Sequence, residues 1–170
     1  MSFLSQILGR RRDRSRYRPL YDALVGYGRD PLWYLDGQVP DTVTGRFDMI
    51  AALLSLLLIR IEGDDREAAE TTVRLTELFV ADMEGSIREM GIGDLVVSKH
   101  LGRMMSALGG RLGAFRGAED LEPIVKRNIF HEAPPSEEAV RFVAARLEAF
   151  RTRLNAVPTE RILAGELPRA

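Results

Sequence analysis

The sequence contains no cysteine and only two histidines, which removes several kinds of chemistry. Without cysteine there is no disulfide bond, thiolate nucleophile or cysteine zinc site, and a reducing compartment is consistent with this. Neither His100 nor His131 stands in an HExxH or Glu-x-x-His spacing. There is no nucleophile elbow, and Gly91-Ile92-Gly93 follows a helical pattern instead of the strand that a phosphate-binding loop requires. We therefore expect a non-enzyme with no catalytic residues, no metal and no cofactor.

Strand signals and long apolar runs are also scarce. The longest apolar run, 49–59, is interrupted by Ser55 and closed by Arg60, whereas a membrane-spanning helix needs about 20 apolar residues. Elsewhere apolar residues recur every three or four positions, which indicates helices. With 170 residues, 45% of them hydrophobic, the chain is expected to form one all-α domain over 17–170, a bundle of six or seven helices.

Charge is nearly balanced overall but unevenly distributed. The net charge of −1 argues against DNA binding, which needs a concentrated positive face. Six arginines and one aspartate in the first 18 residues give +5 and leave −6 for the rest. Apolar residues precede these arginines, so 1–16 predicts a basic amphipathic segment that contacts anionic lipid or ribosomal RNA; a frayed tail is the simpler alternative. The candidate contact residues are Arg10, Arg11 and Arg12, and the first core helix is predicted to begin at Tyr17.

The most strongly patterned stretch runs from Phe79 to Met105. An apolar stripe at helical spacing predicts a helix that ends at Gly91, and Ser98 is the predicted N-cap of the next helix. Glycines at 102, 109, 110 and 113 in that second helix predict a kink or the close approach of a neighbour. The charges of this stretch stabilise a single bundle or, alternatively, form a recognition surface. Its main polar residues are Asp82, Glu84, Arg88, Glu89, Asp94 and Lys99.

An irregular connection is predicted over 30–44, because it contains two prolines and Gly37. Trp33 and Tyr34 are expected to fold back onto the core, and exposure for partner binding is the alternative. Asp41 and Thr44 are candidate N-caps for the following helix.

That following helix, from about Gly45 to Ile61, is apolar nearly all round, which predicts a central position in the bundle. Arg46 at its start is predicted to bridge to Asp82 or Glu89 and so to join the two charged segments. Ser136 is the predicted N-cap of the last long helix, which is amphipathic.

Two segments carry a distinctive pattern. The first consists of Pro31, Tyr34, Val39-Pro40-Asp41-Thr42 and Gly45-Arg46-Phe47-Asp48-Met49, and the second of Asp82-Met83-Glu84, Ile87 to Asp94, and Lys99. Together they resemble the hallmarks of the ubiquinol-cytochrome c chaperone family, over roughly residues 17–115 and without the last helices. Glu84, Ile87 and Leu108-Gly109 depart from the family pattern, which has Asp, Leu and two aromatics there, and the last departure affects the packing of the helix that contains Leu108.

The resemblance implies an assembly factor for the cytochrome bc1 complex that binds newly made cytochrome b. Relatives in mitochondria work with a small partner protein beside the ribosome, and either is an implied partner here. We expect a cytoplasmic protein next to the inner membrane of a bacterium. Two other classes stay open: a membrane-surface adaptor acting through 1–16, and a carboxylate-metal enzyme using Asp82, Glu89 and a histidine. The residues expected to form or brace the client-binding face are Asp41, Arg46, Asp48, Asp82, Arg88, Glu89, Asp94 and Lys99.

Overall fold

The computed structural model describes residues 3–62, 66–89, 94–131 and 134–168, and the side chains of 16–62, 67–89, 102–131 and 134–168. Within these ranges there are eight helices and no strand, which confirms the predicted all-α bundle. The helix beyond the predicted number is a single turn, α2, inside the predicted irregular connection. The helices are α1 (Phe3–Gly28), α2 (Pro31–Tyr34), α3 (Val43–Ile61), α4 (Arg66–Glu89), α5 (Asp94–Phe115), α6 (Glu122–Asn128), α7 (Glu137–Ala156) and α8 (Thr159–Leu163).

Helix α1 is continuous across the boundary that the charge pattern suggested. The sequence predicted a core helix from Tyr17, but helical backbone begins at Phe3 and passes through Pro19. Among the described side chains of α1, those of Tyr17, Leu20 and Leu24 are buried. The secondary structure does not change where the basic sequence ends.

Helix α3 lies at the centre, as its apolar circumference predicted, and it packs against α1, α4, α5 and α7. Its N-cap is Thr42, whose side chain accepts a hydrogen bond of 3.0 Å from the Gly45 N–H. The predicted caps Asp41 and Thr44 are therefore wrong: extended Thr42, between them, has the capping geometry. Gly45 is required here, because an added Cβ would lie 2.0 Å from the Pro40 carbonyl oxygen.

The predicted N-cap of α5 is wrong, and no described residue packs closely against its glycines. The helix begins at Asp94, so Ser98 lies inside it instead of capping it, while the predicted stop at Gly91 lies outside the described residues. A Cβ added at Gly102, Gly109, Gly110 or Gly113 would meet no atom of the described residues within 4 Å. These glycines therefore do not mark the close approach of another described helix.

Helix α7 begins as predicted. The Ser136 hydroxyl accepts a hydrogen bond of 3.1 Å from the Ala139 N–H. Its apolar face, which includes Val143, Leu147 and Phe150, is buried in the common core. The amphipathic C-terminal helix is thus part of the same bundle that contains α3.

Candidate functional site

The aromatic pair of the α2 segment is turned inward. Trp33 has 0% of its surface exposed, its Nε1–H donates a 2.8 Å hydrogen bond to the Tyr27 carbonyl, and the Arg146 guanidinium lies 4.7 Å from its ring centroid. The Tyr34 hydroxyl donates to the Gly28 carbonyl at 2.7 Å, and burial raises the pKa of Tyr34 to about 12. Trp33 therefore folds back onto the core, as one of the two alternatives predicted, and Tyr34 is half-buried against the core.

The exposed apolar residues of this segment are leucines, which the sequence analysis did not single out. Asp30 caps α2 by accepting from the Leu32 N–H at 2.9 Å, and this turn leaves Leu32 and Leu35 pointing outward, Leu35 with 73% of its surface exposed. The α2 turn could have been predicted from the Asp30-Pro31 dipeptide, because Asp followed by Pro is a typical helix start. A cleft of about 320 Å³, the α2 cleft, is lined by Arg29, Pro31, Tyr34, Leu35, Asp41 and Arg46.

Arg46 does not make the predicted bridge. Its Nε donates to Asp41 Oδ1 at 2.7 Å, and both side chains are more than half exposed. The Arg46 guanidinium holds the pKa of Asp41 below its usual range. The prediction failed because a carboxylate five residues upstream is within reach of the guanidinium.

Asp82 connects to α1. The hydroxyl of buried Tyr21 donates a 2.9 Å hydrogen bond to Asp82 Oδ2. Burial raises the pKa of Tyr21, and the Asp82 charge raises it further. Asp82 thereby holds α1 against α4.

Further along α4 the charged residues face solvent. Arg88 Nη2 donates to Glu84 Oε1 at 3.0 Å one turn earlier, and Glu89 is exposed. Asp94 and Lys99 belong to α5, but their side chains lie outside the described residues, as do those of the other predicted contact residues, Arg10, Arg11 and Arg12.

Asp48, expected near a client-binding face, lies inside the bundle. Its Oδ1 accepts from Nη2 of Arg111 on α5, and its Oδ2 lies 2.8 Å from Nε2 of His131. The same Arg111 Nη2 donates to the Asn128 carbonyl at 2.8 Å. Burial lowers the pKa of Arg111, and the Asp48 charge opposes this change. Asp48 thus joins α3 to α5 and to the chain that follows α6, while Arg111 joins α5 to the end of α6.

Above this ion pair is a cavity of about 480 Å³, here called the α3–α5 groove. Phe47 of the first hallmark segment and Ile87 of the second both line it, and the ring centroids of Phe47 and Phe79 are 5.5 Å apart. The two segments thus contribute apolar side chains to one groove, whereas the sequence predicted a charged pair between them. The described lining residues are Val43, Thr44, Phe47, Asp48, Ile87, Arg103, Met104, Ala107, Arg111 and His131.

The groove has the chemistry of a binding surface. Apolar side chains that line an accessible cavity lower the free energy of a complex when a ligand covers them. Across the part of the chain that the structure describes, no three His, Asp or Glu side chains are placed to hold a metal ion. None of the helices in that same part is long and apolar enough to cross a bilayer.

Comparison with known proteins places this geometry in a family. The family model described as ubiquinol-cytochrome C chaperone matches residues 35–170. It therefore includes the C-terminal helices, which the resemblance read from the sequence left out. The crystal structure of the Cbp3 homolog from Brucella abortus matches with a TM-score of 0.79 and 26% identity, covering 97% of this chain and 95% of that chain. No curated protein matches the sequence. The chain belongs to the ubiquinol-cytochrome C chaperone family.

Proposed function

We propose that this protein assists assembly of the cytochrome bc1 complex by binding newly made cytochrome b through a non-catalytic protein–protein contact. The family match over residues 35–170 supports the assembly role. The observation that carries the binding mechanism is the α3–α5 groove, which Phe47 and Ile87 from the two hallmark segments both line.

The groove suits a membrane subunit that has not yet been assembled with its partner subunits. Such a client presents apolar surface that has no partner yet, and the apolar wall of the groove can cover part of it. Val43, with 43% of its surface exposed, extends the apolar surface outward from the groove. In this mechanism Asp48 and Asp82 brace the helices, whereas exposed Arg46, Arg88 and Glu89 contact the client or its surroundings.

Affinity purification of the tagged protein from solubilised membranes tests this function. We expect cytochrome b to co-purify, and an unrelated inner-membrane protein of similar abundance to stay at background. Deleting the gene is expected to lower the amount of assembled bc1 complex, measured by the reduced-minus-oxidised haem spectrum of membranes. Normal bc1 levels in the deletion strain, with no cytochrome b in the purified sample, would contradict the proposal.

Other partners and the location belong to the same proposal. We place the protein at the cytoplasmic side of a bacterial inner membrane, with residues 1–16 touching anionic lipid and the α2 cleft available to a small partner protein or the ribosome. Vesicle flotation tests the contact between residues 1–16 and anionic lipid. A chain lacking 1–16 is expected to lose binding to anionic vesicles while still binding cytochrome b. If it loses cytochrome b as well, the membrane-surface adaptor is the better description.

A further inference from the structure

The lining of the α3–α5 groove includes hydrogen-bond donors and no free carboxylate among its described residues. Both oxygens of Asp48 are already occupied, by Arg111 and His131. The Arg111 side chain is only 5% exposed, and its Nε–H has no hydrogen-bond partner. Arg103, exposed on α5, adds a second guanidinium that pairs with none of the described carboxylates. The groove therefore contains, besides apolar side chains, a positive charge on Arg103 that no described carboxylate neutralises.

The Arg103 charge and the apolar side chains of the groove together favour a ligand that carries a carboxylate and apolar groups. A guanidinium next to apolar side chains attracts a carboxylate more strongly than it would in bulk water, because less solvent screens the pair. A lysine or arginine brought to the same place would meet like charge from Arg103. The apolar wall formed by Phe47, Ile87 and Met104 meanwhile favours apolar side chains on the ligand.

We propose that the α3–α5 groove binds a client segment in which an Asp or Glu stands beside apolar side chains, with its carboxylate paired to Arg103. The inference rests on the proposed function and specifies which part of the client is held. Segments of this kind occur where a transmembrane helix reaches the membrane surface, since acidic residues are rare inside the apolar span itself.

Photo-crosslinking in the complete protein tests the inference. The photoreactive amino acid p-benzoylphenylalanine replaces Met104 inside the groove and, as a matched control, Ala145 on the exposed face of α7. After irradiation in cells, the crosslinked client peptide is identified by mass spectrometry. Each carboxylate in the crosslinked segment is then replaced by its amide in the client, and Arg103→Gln is compared with Arg141→Gln, a change on α7 away from the groove.

We expect position 104 to crosslink to a cytochrome b segment that contains an Asp or Glu, and position 145 to give no such product. Arg103→Gln and the client amide substitution are each expected to lower the crosslink yield by about fivefold to tenfold, which corresponds to the loss of one partly desolvated charge pair. Arg141→Gln is expected to leave the yield unchanged.

Several results would overturn the inference. These are a crosslinked segment without a carboxylate, a product with lipid instead of protein, no product from position 104, or a yield that Arg103→Gln does not change. In each case the proposed function still stands if cytochrome b co-purifies with the unmodified protein. If cytochrome b does not co-purify at all, the proposed function fails together with the inference.

Discussion

Asp48 of α3 and Arg111 of α5 form an ion pair inside the bundle, with 2% and 5% of their side-chain surfaces exposed. The pair lies in the wall of the α3–α5 groove, and its partners Asn128 and His131 come from the end of α6 and just beyond it. A buried ion pair of this kind contributes little net stability, but removing one partner leaves a charge without compensation. The pair therefore fixes the arrangement of helices from which the groove is built.

Breaking this pair from one side is expected to be costly. Asp48→Ala should lower the free energy of unfolding by about 3–5 kcal/mol, because Arg111 stays buried without its counter-charge. Replacing both partners, Asp48→Leu with Arg111→Met, should cost at least about 1 kcal/mol less than the sum of the losses in Asp48→Leu alone and Arg111→Met alone. Urea unfolding followed by circular dichroism measures these variants. Asp41→Ala, which breaks the exposed pair with Arg46, is the control and should change little. Additive effects at 48 and 111 would mean that the two residues act independently.

Stability should fall at alkaline pH because of Tyr34. Its pKa is raised from 10.0 to about 12 by burial, so the unfolded chain loses the phenolic proton at a lower pH than the folded chain. The contribution is complete below pH 10 and is lost as the pH rises towards 12. Urea midpoints measured across this range should decline less steeply in Tyr34→Phe than in the unmodified protein. Parallel declines would show that the phenol keeps its ordinary pKa in the folded state.

The exposed glycines of α5 should be replaceable. Gly109→Ala and Gly110→Ala are each expected to raise stability by about 0.5–1 kcal/mol, because a Cβ there meets no described atom and alanine favours the helix. Thermal unfolding measures the effect. Gly45→Ala, by contrast, should strongly destabilise the protein, because its Cβ would collide with the Pro40 carbonyl oxygen. A loss of stability at 109 or 110 would indicate a neighbouring surface at these positions.

Arg88 is the best test of the charged surface of α4. The Arg88 side chain is more than half exposed and pairs with Glu84 one turn earlier, and exposed pairs contribute little to stability, so Arg88→Ala should change the free energy of unfolding by no more than about 0.5 kcal/mol. Assembled bc1 complex, measured by the haem spectrum of membranes, should nevertheless decrease. Arg141→Ala on α7 provides a matched change that should leave assembly intact. Wild-type bc1 levels in Arg88→Ala cells would remove this residue from the client-binding face.

The sequence was sufficient for the features that depend on local pattern. The all-α fold, the central position of α3 and the Ser136 cap follow from apolar spacing and from one polar side chain at a helix start. The α2 turn was missed because two prolines indicated irregular chain, although Asp30 before Pro31 is a typical helix start.

The partners of charged residues could not be predicted in the same way. Arg111 is 63 positions from Asp48, and only the packing of α3 against α5 brings them together. Arg46 was assigned to the second hallmark segment, but nearby Asp41 is its partner. Where two charged residues are on separate helices, helix periodicity gives the face of each but not the rotation of one helix against the other.

The central claim is that the α3–α5 groove holds the client, and filling the groove tests it most directly. Ala107 lines the groove and is half-buried, so Ala107→Trp should occupy the space that the client needs; Ala145→Trp on the exposed face of α7 is the matched control. Affinity purification from membranes should recover about tenfold less cytochrome b with Ala107→Trp than with Ala145→Trp, at equal thermal stability, which corresponds to about 1.4 kcal/mol of binding free energy. Equal recovery from the two variants would show that the client binds elsewhere.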